Sequence, residues 1–419
     1  MIEFKTKNTS LMHEVKTSFD DSHFLKQEVA RADLPKETDV VIIGGGLLGC
    51  ALAYYLAKAG VEVTLLERGE LNREASGVNA GSFHFQIALH QLSANMTQRD
   101  EQRLLDEVRL QLEAATLWGE LEDELRFNLG VHTTGGLMVA ETSEELQVLR
   151  DKQRIELRAG LETQVMTGVE MREFAPYLSP NLTGISYCPQ EGHANPLVVA
   201  PSYAFRAHQY GAEIRTNCEV TGIDISDNSA AHSFTVHTSR GKVKCRRIVN
   251  AAGAWTGGLA ALVGLRLPID LVGLHVNVTE QREYFLKPMV QHIGRRLTLK
   301  QTTNNTFIIG GGWPARKESF PKRYSNYWES AAGNIGLAVR VLPMLKDVKL
   351  VRTWAGVWSY TSDFAPIVGE SQMVPGFHVL MAPTGFTLGP LVSRLLASYI
   401  ASDKFSTPIP AAFLPDRAM

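Results

Sequence analysis

The chain has 419 residues, 44% apolar and 21% charged, with 42 basic against 44 acidic side chains and a formal charge of −2. That length exceeds one ordinary core and fits two domains. The apolar content excludes disorder along the whole chain, and the charge balance supplies no pull towards nucleic acid or an anionic membrane.

Cys50, Cys188, Cys218 and Cys245 form no CxxC or Cys/His cluster, so no metal site and no disulfide framework is expected. This cysteine usage points to a reducing, cytoplasmic setting. The first 35 residues are polar, without the apolar core of a secretion signal, and read as an N-terminal extension. No apolar run reaches the roughly 20 residues of a membrane span.

Order begins at Thr38–Ile43, a β-branched run that reads as a buried parallel strand. Gly44-Gly45-Gly46-Leu47-Leu48-Gly49 follows and matches G-x-G-x-x-G at the opening of an Ala/Leu-rich helix over 50–59. A second buried strand, 61–67, ends on Glu67, 18 residues past Gly49. In this strand–turn–helix–strand context the motif reads as a dinucleotide site. Gly44 permits the turn, Gly46 the close approach of the pyrophosphate, and Gly49 the packing of helix on strand. A carboxylate at Glu67 suits ribose hydroxyls and repels a 2′-phosphate, leaving NAD or FAD. The small-residue loop from Arg68 to Gly81 suits a flat, extended cofactor.

Further on, apolar residues at helical spacing predict a long amphipathic helix over 97–127. Capping boxes at Thr142…Glu145 and Thr167…Glu170 predict two more helices. Strand and helix alternate again over 186–265, β-type runs occupy 271–279, 296–300 and 306–310, and helices are expected near 326–341 and 388–400. The expected fold is α/β, a Rossmann-like domain (36–100, 190–265, 350–405) interleaved with an α+β cap (101–189, 266–349) whose sheet is mixed or antiparallel, with a C-terminal tail from 406.

Five stretches together resemble the D-amino-acid oxidase-like FAD oxidoreductases, which include glycine oxidase and sarcosine oxidase. They are the fingerprint with Glu67; Ala75-Ser76…Asn79-Ala80-Gly81; Val249 to Trp255; Trp354-Ala355-Gly356 to Gly369; and Thr384 to Pro390. The resemblance implies non-covalent FAD held by Gly44, Gly46, Leu47, Leu48, Gly49, Glu67, Arg68, Ala75, Ser76, Asn79, Ala80, Gly81, Val220, Ala251, Ala252, Gly253, Trp255, Gly356, Gly385, Phe386, Thr387 and Leu388. Ser76 is expected to donate to the diphosphate and Val220 to offer backbone atoms to the adenine. The N-terminal dipole of the last helix is expected to face the flavin N1–C2=O. A histidyl link through His84 or His90 stays formally open.

The resemblance also implies oxidation of the C–H beside the nitrogen of a glycine-like or N-substituted glycine substrate. The imine hydrolyses, and O2 is the expected electron acceptor, giving peroxide. The alternative is a dehydrogenase subunit that passes electrons to a partner protein or quinone. The family's usual arginine and lysine anchors are replaced here by Ser82 to Gln86, Thr387 and Trp358. The cations expected to meet the substrate carboxylate are therefore Lys300 first, then Arg295, Arg296 and Arg316, with Lys300, His84 and His275 as catalytic candidates. Trp358 and Tyr360 are candidate pocket walls and Thr387 a candidate substrate contact. A solvated lysine, a core histidine and plain core aromatics are the alternative readings of these positions.

Overall fold

The computed structural model describes residues 33–92, 96–226, 233–318 and 324–418. The expected N-terminal extension lies, up to residue 32, outside them.

Two eight-stranded sheets organise the chain. The first runs Ile367–Glu370, Phe377–Met381, Gly241–Asn250, Glu37–Ile43, Val63–Leu66, Glu213–Arg215, with the hairpin strands Phe234–Thr238 and Val220–Ile225 attached beside Gly241–Asn250. Its central pairings are parallel, as unbroken apolar strands require. The Leu47–Lys58 helix is buried at ten of its twelve positions. It shares one core with the helices Gln98–Leu125, Pro196–Gln209 and Gly385–Ser402.

The second sheet runs Leu350–Tyr360, Asp270–Gln281, Thr306–Gly310, Thr298–Gln301, Met289–His292, Gly136–Ala140, Gly184–Cys188, Gln164–Thr167, and is mixed. Directly opposed residues share a face of a sheet. Leu299, Ile309 and Asn277 therefore share one face, which the Trp328–Val341 helix covers through Leu337 and Val341. Lys300, Ile308 and Val278 share the other. On that second face Trp354 donates its Nε1–H to Val78 O at 2.7 Å, so it fronts the loop of the dinucleotide domain.

Two expected boundaries differ from the structure. Leu350–Tyr360 was expected with the dinucleotide domain but pairs along Asp270–Gln281 as the edge of the cap sheet. The Gln98–Leu125 helix was expected in the cap but buries Leu104, Leu117 and Leu121 in the core of the dinucleotide domain. Its apolar stripe is satisfied by the Gly385–Ser402 helix, which lies far away in sequence. At Thr167 the helix begins without the expected side-chain cap, whereas Thr142 caps its helix through Glu145 N–H at 3.2 Å.

Candidate active site

The fingerprint turn is built from backbone crowding. A Cβ on Gly49 would lie 1.9 Å from Gly44 O, and one on Gly44 (φ +122°) 2.5 Å from Ala251 O. Gly46 is the N-cap of the Leu47–Lys58 helix, without a side-chain cap and with no acid in the first turn. An anion is the natural partner of such a helix start. Ser76 Oγ accepts Leu47 N–H at 2.9 Å, which leaves its own O–H to donate towards that anion. Glu67 accepts the N–H of Gly45 at 2.7 Å and of Gly69 at 2.8 Å, and a carboxylate has further lone pairs for sugar hydroxyls.

The other motifs converge on this turn. Asn250 lies in parallel register with Ile43, which brings Ala251, Ala252 and Gly253 beside Gly44. Arg68 stacks on the Trp255 ring at 3.7 Å and pairs with Glu74 at 3.0 Å. Asn79 accepts Gly81 N–H at 2.7 Å and donates to Ser76 O, shaping the loop through Ala80. Gly356 packs where a Cβ would strike Val78. Leu48 reaches the first turn of the last helix at Gly385 and Gly389. Cys218, two residues before Val220, donates its N–H to Glu67 O at 2.8 Å. The glycine cradle, the free Ser76 hydroxyl and Glu67 suit a dinucleotide with a diphosphate and a ribose.

A model of the FAD dependent oxidoreductase (DAO) family matches residues 39–399. The chain belongs to that family. It is 27% identical to an opine oxidase subunit of Rhizobium meliloti over 88% of this chain and 94% of that one. It is 28% identical to human mitochondrial sarcosine dehydrogenase over 83% of this chain, spanning 37% of the relative's length. Glycine oxidase from Geobacillus kaustophilus superposes with a TM-score of 0.78 at 24% identity, over 92% of this chain and all of that one. The family is FAD-dependent, and the glycine cradle, the Ser76 hydroxyl and Glu67 are the residues that would hold the FAD, which would supply the redox chemistry.

On the cap face that fronts this oxidoreductase's FAD cradle, Lys300 is 3% exposed, and no carboxylate among the described residues pairs with it. Burial brings its ammonium down to about 7. Burial and the Lys300 charge bring His84 down to about 4. The same two causes, with His132 beside it, bring His193 to about 3. Both imidazoles are thus neutral near pH 7. His84 keeps some accessible surface, but its Nδ1 is buried without a hydrogen-bond partner. Trp358, Tyr360 and Phe364 form a stacked aromatic wall, with Trp358 and Tyr360 4.8 Å apart, and Trp358 donates to Pro383 O at 2.8 Å.

The remaining candidates lie elsewhere or are engaged. His275 shares the face of Asn277, towards the Trp328–Val341 helix, away from Lys300. Arg295 pairs with Glu141 at 2.7 Å, and Arg295 and Arg296 line an open groove of about 730 Å³ beside that helix with Trp313 and Arg340. Arg316 is exposed and lies over Tyr327. Thr387 is buried, with Oγ1 accepting His84 N–H at 3.3 Å and O accepting Trp118 Nε1–H at 2.9 Å. It ties two helices to the loop. His193, Glu191, Lys152 and Phe364 escaped the sequence reading. Of these only Lys152 carried a signal, as a lysine at helical spacing from Leu149 and Ala159.

Proposed function

We propose that this enzyme oxidises the C–H bond next to the nitrogen of a small amino acid or N-substituted glycine, with O2 as electron acceptor. The observation that carries the reading is Lys300, a buried cation without a carboxylate of its own, on the cap face opposite the FAD cradle. An unpaired buried charge is costly, and a substrate carboxylate would offset that cost when it binds. Two of the relatives are named for an opine and for sarcosine, N-substituted amino acids that carry a carboxylate.

In this reading Lys300 holds the carboxylate, and the Trp358–Tyr360–Phe364 wall excludes water from the reacting carbon. His84, neutral near pH 7, adds no second positive charge to the pocket, which suits a substrate nitrogen that enters as the free amine. Orientation and dehydration, rather than a dedicated strong base, are what the chain supplies. All four cysteines are free and buried, which supports a reducing, cytoplasmic setting.

The test is a peroxide assay of purified protein against glycine, sarcosine, iminodiacetate and other N-carboxymethyl amines, with a dye acceptor in parallel. Peroxide formation with one of them, lost in Lys300→Met at unchanged FAD content, is expected. Turnover with dye alone would assign the electrons to a partner, and turnover of neutral amines would overturn the substrate class.

A further inference from the structure

The segment that carries His84 has almost no strand to hold it. Only Ser82 and Phe83 pair, with His193 and Gly192. Yet every amide from His84 to Ile87 is satisfied, each by a side chain from a distant element. His84 N–H goes to Thr387 Oγ1 at 3.3 Å, and Phe85 and Gln86 N–H both go to Glu191 Oε1, at 2.8 and 3.0 Å. Ile87 N–H goes to Glu156 Oε1 at 2.8 Å.

The two carboxylates are joined through Gln86 and Lys152. Gln86 Nε2 donates to Glu191 Oε2 at 3.0 Å, and Lys152 Nζ donates to Gln86 Oε1 at 2.9 Å and to Glu156 at 2.8 and 3.0 Å. Thr163 completes Glu156, and Gln291, from the same sheet face as Lys300, approaches Glu191 at 3.4 Å. Lys152, Glu156 and Glu191 are each 0% exposed and Gln86 is 3% exposed. With one ammonium for two carboxylates, the set is a costly thing to bury for stability alone, since an apolar cluster of similar volume is often as stable. What an apolar cluster cannot do is fix the three consecutive amides of Phe85, Gln86 and Ile87.

We propose that Glu191 is a positioning residue. Backed by Gln86, Lys152 and Glu156, it clamps the Phe85–Ile87 segment so that the adjoining His84 keeps its place near the Lys300 charge when substrate binds. The proposal rests on the reading of Lys300 as the carboxylate anchor.

The probe is Glu191→Gln in the FAD-loaded enzyme. The introduced amide turns one acceptor into a donor facing the Gln86 donor, so the clamp opens. Hydrogen exchange of the peptide containing Phe85 to Ile87 should accelerate tenfold or more. Affinity for acetate, a minimal carboxylate read from the visible flavin band, should fall tenfold or more at unchanged FAD content. The swap Gln86→Glu with Glu191→Gln restores the donor–acceptor order and the net charge, and should return both readouts to within about threefold. A role in stability alone would shift melting without that paired rescue.

Wild-type exchange and acetate affinity in Glu191→Gln, or a folded, FAD-loaded swap that rescues neither, would overturn the proposal. Should Glu191→Gln fail to accumulate, Lys152→Gln reads the same clamp through Gln86. If Lys300→Met leaves acetate binding intact, the anchor reading fails, while the exchange rates still decide the clamp.

Discussion

The carboxylate of Glu67 accepts the backbone N–H of Gly45 at 2.7 Å, so the residue expected to hold the ribose also braces the turn expected to hold the diphosphate. Glu67→Gln keeps the shape but sets an N–H against either Gly45 or Gly69 and removes the charge offered to the sugar. Each charge-assisted bond contributes about 1.5–3 kcal/mol, so FAD affinity should fall about tenfold or more. Turnover of the fully loaded variant should stay near wild type. Cofactor titration followed by flavin fluorescence checks it, and unchanged affinity would show that Glu67 does not reach the ribose.

Two glycine variants separate the turn from the cofactor. Gly49→Ala drives a Cβ to 1.9 Å from the backbone oxygen of Gly44, where nothing flexible can yield. Overpacking of this kind costs about 1–3 kcal/mol, and a lower denaturation midpoint is expected even without FAD. A Cβ at Gly46 meets only Ser76 Oγ, at 2.9 Å. Gly46→Ala should therefore fold with nearly the wild-type midpoint and lose FAD occupancy. Equal midpoints for the two variants would contradict the crowding argument.

The attachment of the cofactor has a simple readout. Cys50, Cys188, Cys218 and Cys245 are all buried. His84 is within the influence of the Lys300 charge, and the His90 ring lies tilted against Phe364 at 4.4 Å. Acid precipitation of the purified protein should release the yellow colour into the supernatant. Colour kept in the pellet would mean a covalent link, with His84 and His90 the first positions to map by peptide mass.

What the sequence made legible was local. The fingerprint, Glu67 and the strand before them are contiguous, and each glycine answers a contact within a few residues or one strand away. Lys300 was legible because it follows an alternating run that ends at a glutamine. Arg295 and Arg296 ranked behind it as candidates, and the strand starts only at Thr298. Its turn sends both towards the groove beside the Trp328–Val341 helix. His275 lies on the buried face of its strand with Asn277, and which layer covers that face depended on the pairing of Asn277 with Ile309, a long-range contact. His193 and Glu191 join the site only because Gly192 and His193 pair with Ser82 and Phe83, more than a hundred residues earlier. Pairings at that separation leave no mark on local pattern.

Lys300 makes the sharpest prediction about pH. Its folded-state value lies near 7 against 10.5 unfolded, so between those values the unfolded chain binds more protons. The stability contribution of this group therefore rises with pH from about 7 towards 10.5 and is absent below 7. Carboxylate binding runs the opposite way, because only the protonated form pairs with the anion. In the free enzyme, acetate affinity should be flat below about pH 7 and fall about tenfold per unit above it. Lys300→Met should bind acetate weakly at every pH, with unchanged FAD content, and lose the alkaline limb of kcat/KM. Removing the partner of a buried carboxylate costs about 2–5 kcal/mol in kcat/KM. Acetate titrations of both proteins across pH 6–9, read from the flavin band, decide the matter. An affinity that stays flat to pH 9 in the wild type would mean that the group binding the carboxylate is an arginine rather than Lys300.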